Sequence, residues 1–162
     1  MSTSWFWGSI GLNAYLWNEF FLDFSGMEHY YLSDRELMKR FENLTLNPEL
    51  FNHEAHLRLA WIHIREFGRV QAEENLCAQI ERFDAAFGDG TKFHHTLTVA
   101  SVKMVAHFVG RSRANNFQSF MREFPRLRSH FQDLLDQHYG IDLLTHPTAK
   151  EEYVEPDRLA FT

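Results

Sequence analysis

Apolar residues recur along this chain at the spacing of an α-helix, and the alternation that is typical of a strand is nearly absent. The chain has only four prolines, and none of them interrupts a long periodic segment. With 162 residues, of which 44% are hydrophobic, it is long enough to bury one core. We therefore predict an all-α fold, a single-domain helical bundle of about five to six helices with an irregular C-terminal tail.

Capping signals place the ends of the predicted helices. Ser33 is an N-cap candidate, and Glu36 stands at the capping-box position behind it. Asn52 caps a helix predicted from about His53 to Phe67, which ends at Gly68. Four more helices are predicted at "VQAEENLCAQIERFDAAFG", from about Thr91 to Val109, at "NNFQSFMREF", and from about Arg128 to Tyr139.

The first 27 residues, "MSTSWFWGSIGLNAYLWNEFFLDFSGM", differ from the helical domain predicted over residues 28–162 because they are crowded with aromatic side chains. A signal peptide is disfavoured by the lack of a leading basic residue and of a cleavage site. A membrane span is disfavoured because polar and acidic residues interrupt the apolar run. Three readings stay open: a helix packed on the domain or on a partner chain, an extension ahead of a true start at Met27, and an interfacial membrane helix. The first of these includes a homo-oligomer formed through the aromatic segment.

The net charge and the cysteine content bear on the partners and the cellular compartment of the protein. The net charge is −6, and no basic stripe is present to neutralise phosphates, so we predict no nucleic-acid partner. The single cysteine, Cys77, lies in a helical pattern and permits no intrachain disulfide. We therefore predict a reducing compartment, the cytoplasm.

Histidine is abundant, with ten residues, and several of them lie on apolar helix faces. Successive helical residues turn by about 100°, which places His53 in the middle of the apolar stripe of its helix and His56 at the edge of that stripe. His94 and His138 extend the apolar faces of two other helices. An antiparallel bundle would bring these four rings to one level.

Two interpretations of the four histidines compete. Each ring taken alone is more simply a core residue that is hydrogen-bonded to its neighbours. Taken together, His53, His56, His94 and His138 predict a shared metal site, because four buried imidazoles without partners would be costly. A nitrogen-rich set without thiolates suits a divalent transition metal (Zn, Fe, Cu or Ni) and disfavours magnesium and calcium.

Four segments resemble, in the same order, a family of small uncharacterised bacterial proteins. The segments are "FNHEAHLRLAWIHIREFG", "KFHHTLTVASVKMVAHFV", "HYG" and "EEYVEPD", and the family motifs are HxxHL, YHxTxT, HY and FVEPD. The resemblance covers about residues 50 to 157 and implies that the motif histidines are the same four. This chain departs from the pattern at Phe93, which replaces a tyrosine, and at His95, which stands where an acidic residue is common. The resemblance therefore supports a histidine site, but it does not indicate which reaction such a site would catalyse.

Two functions remain open from the sequence. The first is a metal-dependent enzyme that acts on a small molecule, either an oxidoreductase or a hydrolase, with His95 or Tyr139 as the acid or base. The second is a non-catalytic helical interaction module, with or without a structural metal, that docks through its aromatic N-terminal segment.

Overall fold

The computed structural model describes residues 24–162, and within this range the fold is all-helical, as predicted. Two 3-10 helices, Phe24–Tyr31 and Pro48–Leu50, accompany seven α-helices. The α-helices are α1 (Asp34–Glu42), α2 (His53–Phe67), α3 (Arg69–Phe87), α4 (His95–Val109), α5 (Phe117–Glu123), α6 (Arg126–Ser129) and α7 (Phe131–His138). None of the helices in this range has the length and apolar character needed to cross a bilayer. The predictions about the aromatic segment rest mainly on residues 1–23, which lie outside the described residues.

The predicted caps of α1 and α2 are confirmed. The Ser33 hydroxyl accepts from the backbone N–H of Glu36, whose carboxylate accepts from the backbone N–H of Ser33, and this completes the capping box. The Asn52 side chain accepts from the backbone N–H of Ala55 at 2.9 Å. Both caps satisfy amides that a helix start leaves without partners.

Gly68 joins α2 directly to α3 and serves as the cap of both helices. Its backbone has φ 80° and ψ 166°, a conformation that is essentially restricted to glycine. A chain reversal of one residue therefore depends on the missing side chain at this position. The helices α2 and α3 can then pack against each other and against α4.

The core is mostly aliphatic and draws on all seven α-helices and the tail, and it contains a cluster of aromatic rings between α1, the 48–51 segment and α3. Phe41 packs against Phe51 and Phe83 with centroid distances of 4.5 and 4.7 Å, and Phe51 meets Phe83 edge-on at 4.9 Å. Such ring pairs contribute about 0.5–1.5 kcal/mol each beyond the burial of their area. This aromatic cluster fixes α1 and the 48–51 segment against α3.

The fourth helix begins at His95 rather than near Thr91, so the predicted start was four residues early. The buried Asp84 carboxylate accepts from the backbone N–H groups of Lys92 and Phe93, at 2.7 and 2.9 Å. Because these bonds hold the preceding segment as a loop, His94 becomes the N-cap of α4. The last predicted helix, from about Arg128 to Tyr139, is instead two helices, α6 and α7, which are separated at His130.

The irregular C-terminal tail, residues 139–162, returns across the start of α4. The backbone N–H groups of His95 and Thr96 donate to the carbonyls of Lys150 and Ala149, at 2.9 and 3.1 Å. The Thr96 hydroxyl also donates to the carbonyl of Glu152 at 2.8 Å. The tail thus supplies partners for first-turn amides of α4, and it is held against that helix in return.

Candidate functional site

A cavity of about 480 Å³ opens between the first turn of α4, the helix α7 and the C-terminal tail. Leu97 comes from α4, and Gln132, Leu135 and Asp136 come from α7. The remaining wall is provided by residues 139–144 and Arg158 of the tail. Its apolar lining consists of Leu97, Leu135, Tyr139, Ile141, Leu143 and Leu144. Three stretches that are distant in the sequence therefore meet around one space.

His94 holds one side of this cavity together. Its Nε2–H donates to the carbonyl of Leu143 at 3.1 Å, and its Nδ1 accepts from the backbone N–H of Leu97 at 3.3 Å. Both leucines line the cavity. The ring is 6% exposed, and its burial lowers its pKa. Since both nitrogens are hydrogen-bonded within the chain, His94 acts here as a brace between α4 and the tail.

His138 fixes a later part of the tail, residues 158–161. Its Nδ1–H donates to the carbonyl of Leu159 at 2.6 Å, and its ring stacks on Phe161 with centroids 3.9 Å apart. Its own carbonyl accepts from the backbone N–H of Arg158 at 3.0 Å. These contacts set the backbone position from which the Arg158 side chain reaches the cavity.

Gly140 allows the tail to approach the end of α7 closely. Its N–H donates to the Asp157 carboxylate at 2.7 Å, and this hydrogen bond lowers the pKa of that carboxyl group. A Cβ atom at this position would lie 2.6 Å from Nε of Arg158 and 3.0 Å from Oδ2 of Asp157. A glycine is therefore needed here if Arg158 is to keep its place.

His53 and His56 lie elsewhere and do not line the large cavity. The Nε2–H of His53 donates to the carbonyl of Leu127 at 3.0 Å, and the Nδ1–H of His56 donates to that of Asn52 at 2.8 Å. Burial lowers the pKa of His56 to about 3. His56 borders a separate space of about 20 Å³ between α2, α3 and α4, where Thr98 and Ser101 also lie. This space has room for roughly one water molecule.

The four predicted metal ligands therefore each bond to a different backbone carbonyl. Within residues 24–162, no group of three or more His, Cys, Asp or Glu side chains is placed to hold a metal ion. Each of the four rings thus has a hydrogen bond to the backbone, as is usual for histidines in a core. The geometry gives the shared metal no support, and the metal stays a prediction.

The two predicted acid–base residues are placed differently. Tyr139 is buried in the wall of the cavity, and its hydroxyl donates to the carbonyl of Val154 at 3.0 Å. Burial raises the pKa of Tyr139, so its hydroxyl keeps its proton at neutral pH. His95 is half-buried, meets Phe93 edge-on and does not line the cavity. A catalytic role for either residue stays a prediction.

Sequence reasoning missed the polar groups of the cavity, which are Gln132, Asp136, Asp142 and Arg158. Asp136 accepts from the Gln132 amide at 2.8 Å, and Asp142 accepts from the backbone N–H of Leu144 at 3.0 Å. Arg158 donates to the backbone carbonyl of Asp136 at 2.8 Å. Asp142 and Arg158 lie in irregular segments, where no periodicity signals which side chains share a space. The "EEYVEPD" motif, which ends one residue before Arg158, was the nearest available signal.

No protein-family model matches this chain, and no curated protein or solved structure matches it either. The motif resemblance to small bacterial proteins accordingly stays a prediction. The features that bear on function are the cavity, the two histidine braces beside it and the charged side chains in its wall.

Proposed function

We propose that this protein binds a small organic molecule in the cavity between α4, α7 and the C-terminal tail. The observation that carries the proposal is the way in which His94 and His138 brace walls from three distant stretches around one space. A volume of about 480 Å³ falls within the roughly 300–1,000 Å³ that is usual for small-molecule sites. Six of its eleven lining residues have apolar or aromatic side chains and four have polar or charged ones, so the lining is more polar than is usual for such sites.

The braces make the site preformed. The His94–Leu143 bond is buried, and it spans 49 residues of chain. Each such bond contributes about 0.5–1.5 kcal/mol to stability and holds the tail segment in place before any ligand arrives. A preformed wall lowers the ordering cost of binding, so even a small ligand can gain useful affinity.

Binding is favoured over catalysis as the proposed role. The Tyr139 hydroxyl is engaged with the Val154 carbonyl, and its raised pKa makes it a poor base at neutral pH. His94, which bonds to two residues of the cavity wall, uses both of its nitrogens to hold that wall. The side chains that remain for contact with a ligand are apolar groups, two carboxylates, an amide and a guanidinium.

The test uses a neutral probe, 3-phenylpropan-1-ol, followed by amide shifts in ¹H–¹⁵N spectra. We expect saturable shifts at Leu97, Leu135 and residues 139–144. The variant Leu144→Trp should fill the cavity and abolish these shifts, because Leu144 is 49% exposed at its edge. The matched control is Val70→Trp, at a position that is 61% exposed and does not line the cavity. Shifts spread over other surfaces, or unchanged in Leu144→Trp, would contradict the proposal.

A further inference from the structure

We infer that the ligand of this cavity is a small zwitterion, with an ammonium group, a carboxylate group and an apolar portion. The inference rests on the proposed function and adds the chemical class of the ligand. Its basis is the charge arrangement in the wall: one guanidinium (Arg158) and two carboxylates (Asp136 and Asp142) line a space that is otherwise mostly apolar.

Arg158 is suited to hold the carboxylate group. A guanidinium has five N–H donors, and Arg158 donates from one nitrogen, Nη1, to the carbonyl of Asp136. Among the salt bridges between described residues, none involves Arg158. The Asp157 carboxylate lies nearby without forming a salt bridge, and the positive charge of Arg158 helps to lower the pKa of that carboxyl group. The remaining guanidinium donors match the two oxygens of a ligand carboxylate.

Asp136 and Asp142 are suited to hold the ammonium group. One oxygen of each carboxylate accepts a hydrogen bond, from Gln132 and from Leu144 respectively. Within residues 24–162, neither carboxylate forms a salt bridge. Each therefore keeps acceptor capacity that an ammonium group, with three N–H donors, can use.

A ligand with a single charge fits this wall less well. An anion would meet Arg158 but would also be repelled by two carboxylates, and a cation would meet the carboxylates but would be repelled by the guanidinium. Specificity of this kind comes from the penalty on the wrong ligand as much as from contacts with the right one. Leu135, Ile141 and Leu143 offer apolar surface beside the charges, so an apolar side group should add affinity.

The experiment compares four related probes by titration calorimetry. They are L-phenylalanine (zwitterion), 2-phenylethylamine (cation), 3-phenylpropanoate (anion) and the neutral 3-phenylpropan-1-ol. We expect L-phenylalanine to bind most tightly. Arg158→Gln should weaken L-phenylalanine and 3-phenylpropanoate by about tenfold or more without weakening the amine. Asp142→Asn should weaken L-phenylalanine and the amine, and leave 3-phenylpropanoate unweakened.

Controls separate charge recognition from unfolding. Arg122→Gln and Asp133→Asn alter exposed charges that do not line the cavity, and they should leave all four affinities unchanged. Arg158→Lys keeps the charge but loses the planar fork, so a partial loss of L-phenylalanine affinity is expected. If all four probes bind equally well in the cavity, the inference fails while the proposed function stands. If none of them binds there, both fail.

Discussion

The ring of His94 and the carbonyl of Leu143 are joined by a 3.1 Å hydrogen bond between the first turn of α4 and the C-terminal tail. The other ring nitrogen accepts from Leu97, so a single side chain caps a helix and supports the wall of a cavity at once. A histidine on an apolar face can therefore be fully used without any metal or any proton transfer.

Replacing His94 should separate its two roles. His94→Ala removes both the cap and the bond to Leu143, and we expect the free energy of unfolding to fall by about 2 kcal/mol, since each contact contributes roughly 1 kcal/mol. His94→Asn keeps a capping side chain, because Asn is a favoured N-cap, and should recover about half of that loss. Urea unfolding of the three proteins measures this. Equal stability of the Asn and Ala variants would contradict a capping role.

Gly140 should control the position of Arg158. A methyl group at residue 140 would lie 2.6 Å from Nε of Arg158, so Gly140→Ala should push this side chain out of the cavity wall. We expect the affinity for L-phenylalanine to fall while that for 3-phenylpropan-1-ol changes little, as measured by calorimetry. Gly110→Ala, at the end of α4, is the control because its new methyl group meets neighbours at an ordinary 3.7 Å. A parallel loss for both ligands would instead indicate a general collapse of the site.

Stability should decrease in mild acid because of buried histidines. His29 and His63 are 0% and 1% exposed, and burial lowers the pKa of each from 6.5 to about 4, with Arg58 adding to the effect at His29. Between about pH 4 and pH 6.5, these two histidines therefore bind protons in the unfolded chain but not in the folded chain. The free energy of unfolding should therefore be unaffected by these groups above pH 6.5, and should fall by about 1.4 kcal/mol per pH unit for each of them below it.

The variant His63→Gln tests that pH dependence. Urea unfolding at several pH values between about 4.5 and about 7.5 measures how the free energy of unfolding depends on pH. Below about pH 6.5, the decrease per pH unit should be smaller in the variant by about 1.4 kcal/mol, which corresponds to one proton. His130→Gln, at an exposed position, is the matched control substitution. A slope that His63→Gln does not alter would assign the acid sensitivity to other groups.

Gly68 should tolerate a side chain poorly for conformational reasons alone. Nothing lies within 4 Å of a Cβ atom built there, yet its φ of 80° is unfavourable for alanine. Gly68→Ala should cost about 1–3 kcal/mol of stability. Gly110→Ala, at φ −63°, should be neutral or stabilising by up to about 1 kcal/mol. Thermal unfolding of both variants measures these changes in stability. Equal changes in the two variants would contradict a conformational requirement for glycine at residue 68.

Elemental analysis of protein purified without added metal tests the predicted Zn, Fe, Cu or Ni site. The hydrogen bonds at His94 lead us to expect less than one metal ion per chain, and no change of the unfolding temperature with a chelator. Stoichiometric metal that disappears in His94→Ala, with the fold retained, would overturn this expectation and restore the metal-dependent function.

Much of the fold could be predicted because helix signals are local. Ser33 and Asn52 cap their helices as expected, and Gly68 ends α2. The start of α4 could not be predicted, because Asp84 reaches from α3 to bind the amides of Lys92 and Phe93. No window of neighbouring residues contains that contact.

The site could be predicted in part. Helical periodicity placed His94 and His138 on buried faces, and both are buried beside the cavity. Periodicity could not identify their partners, Leu143 and Leu159, which lie in an irregular tail. It also could not find Arg158 in that tail, for the same reason.

The amino-acid sequence by itself determined that the described chain is helical, where most of its helices begin and end, and that His94 and His138 lie on buried faces. Tertiary structure alone decided which backbone carbonyls those rings meet, and it alone assembled a cavity from α4, α7 and the tail. The physical reason is one of range. The turn of a helix orients a side chain relative to its own axis, whereas its distance to a group 49 residues away depends on how every intervening segment packs.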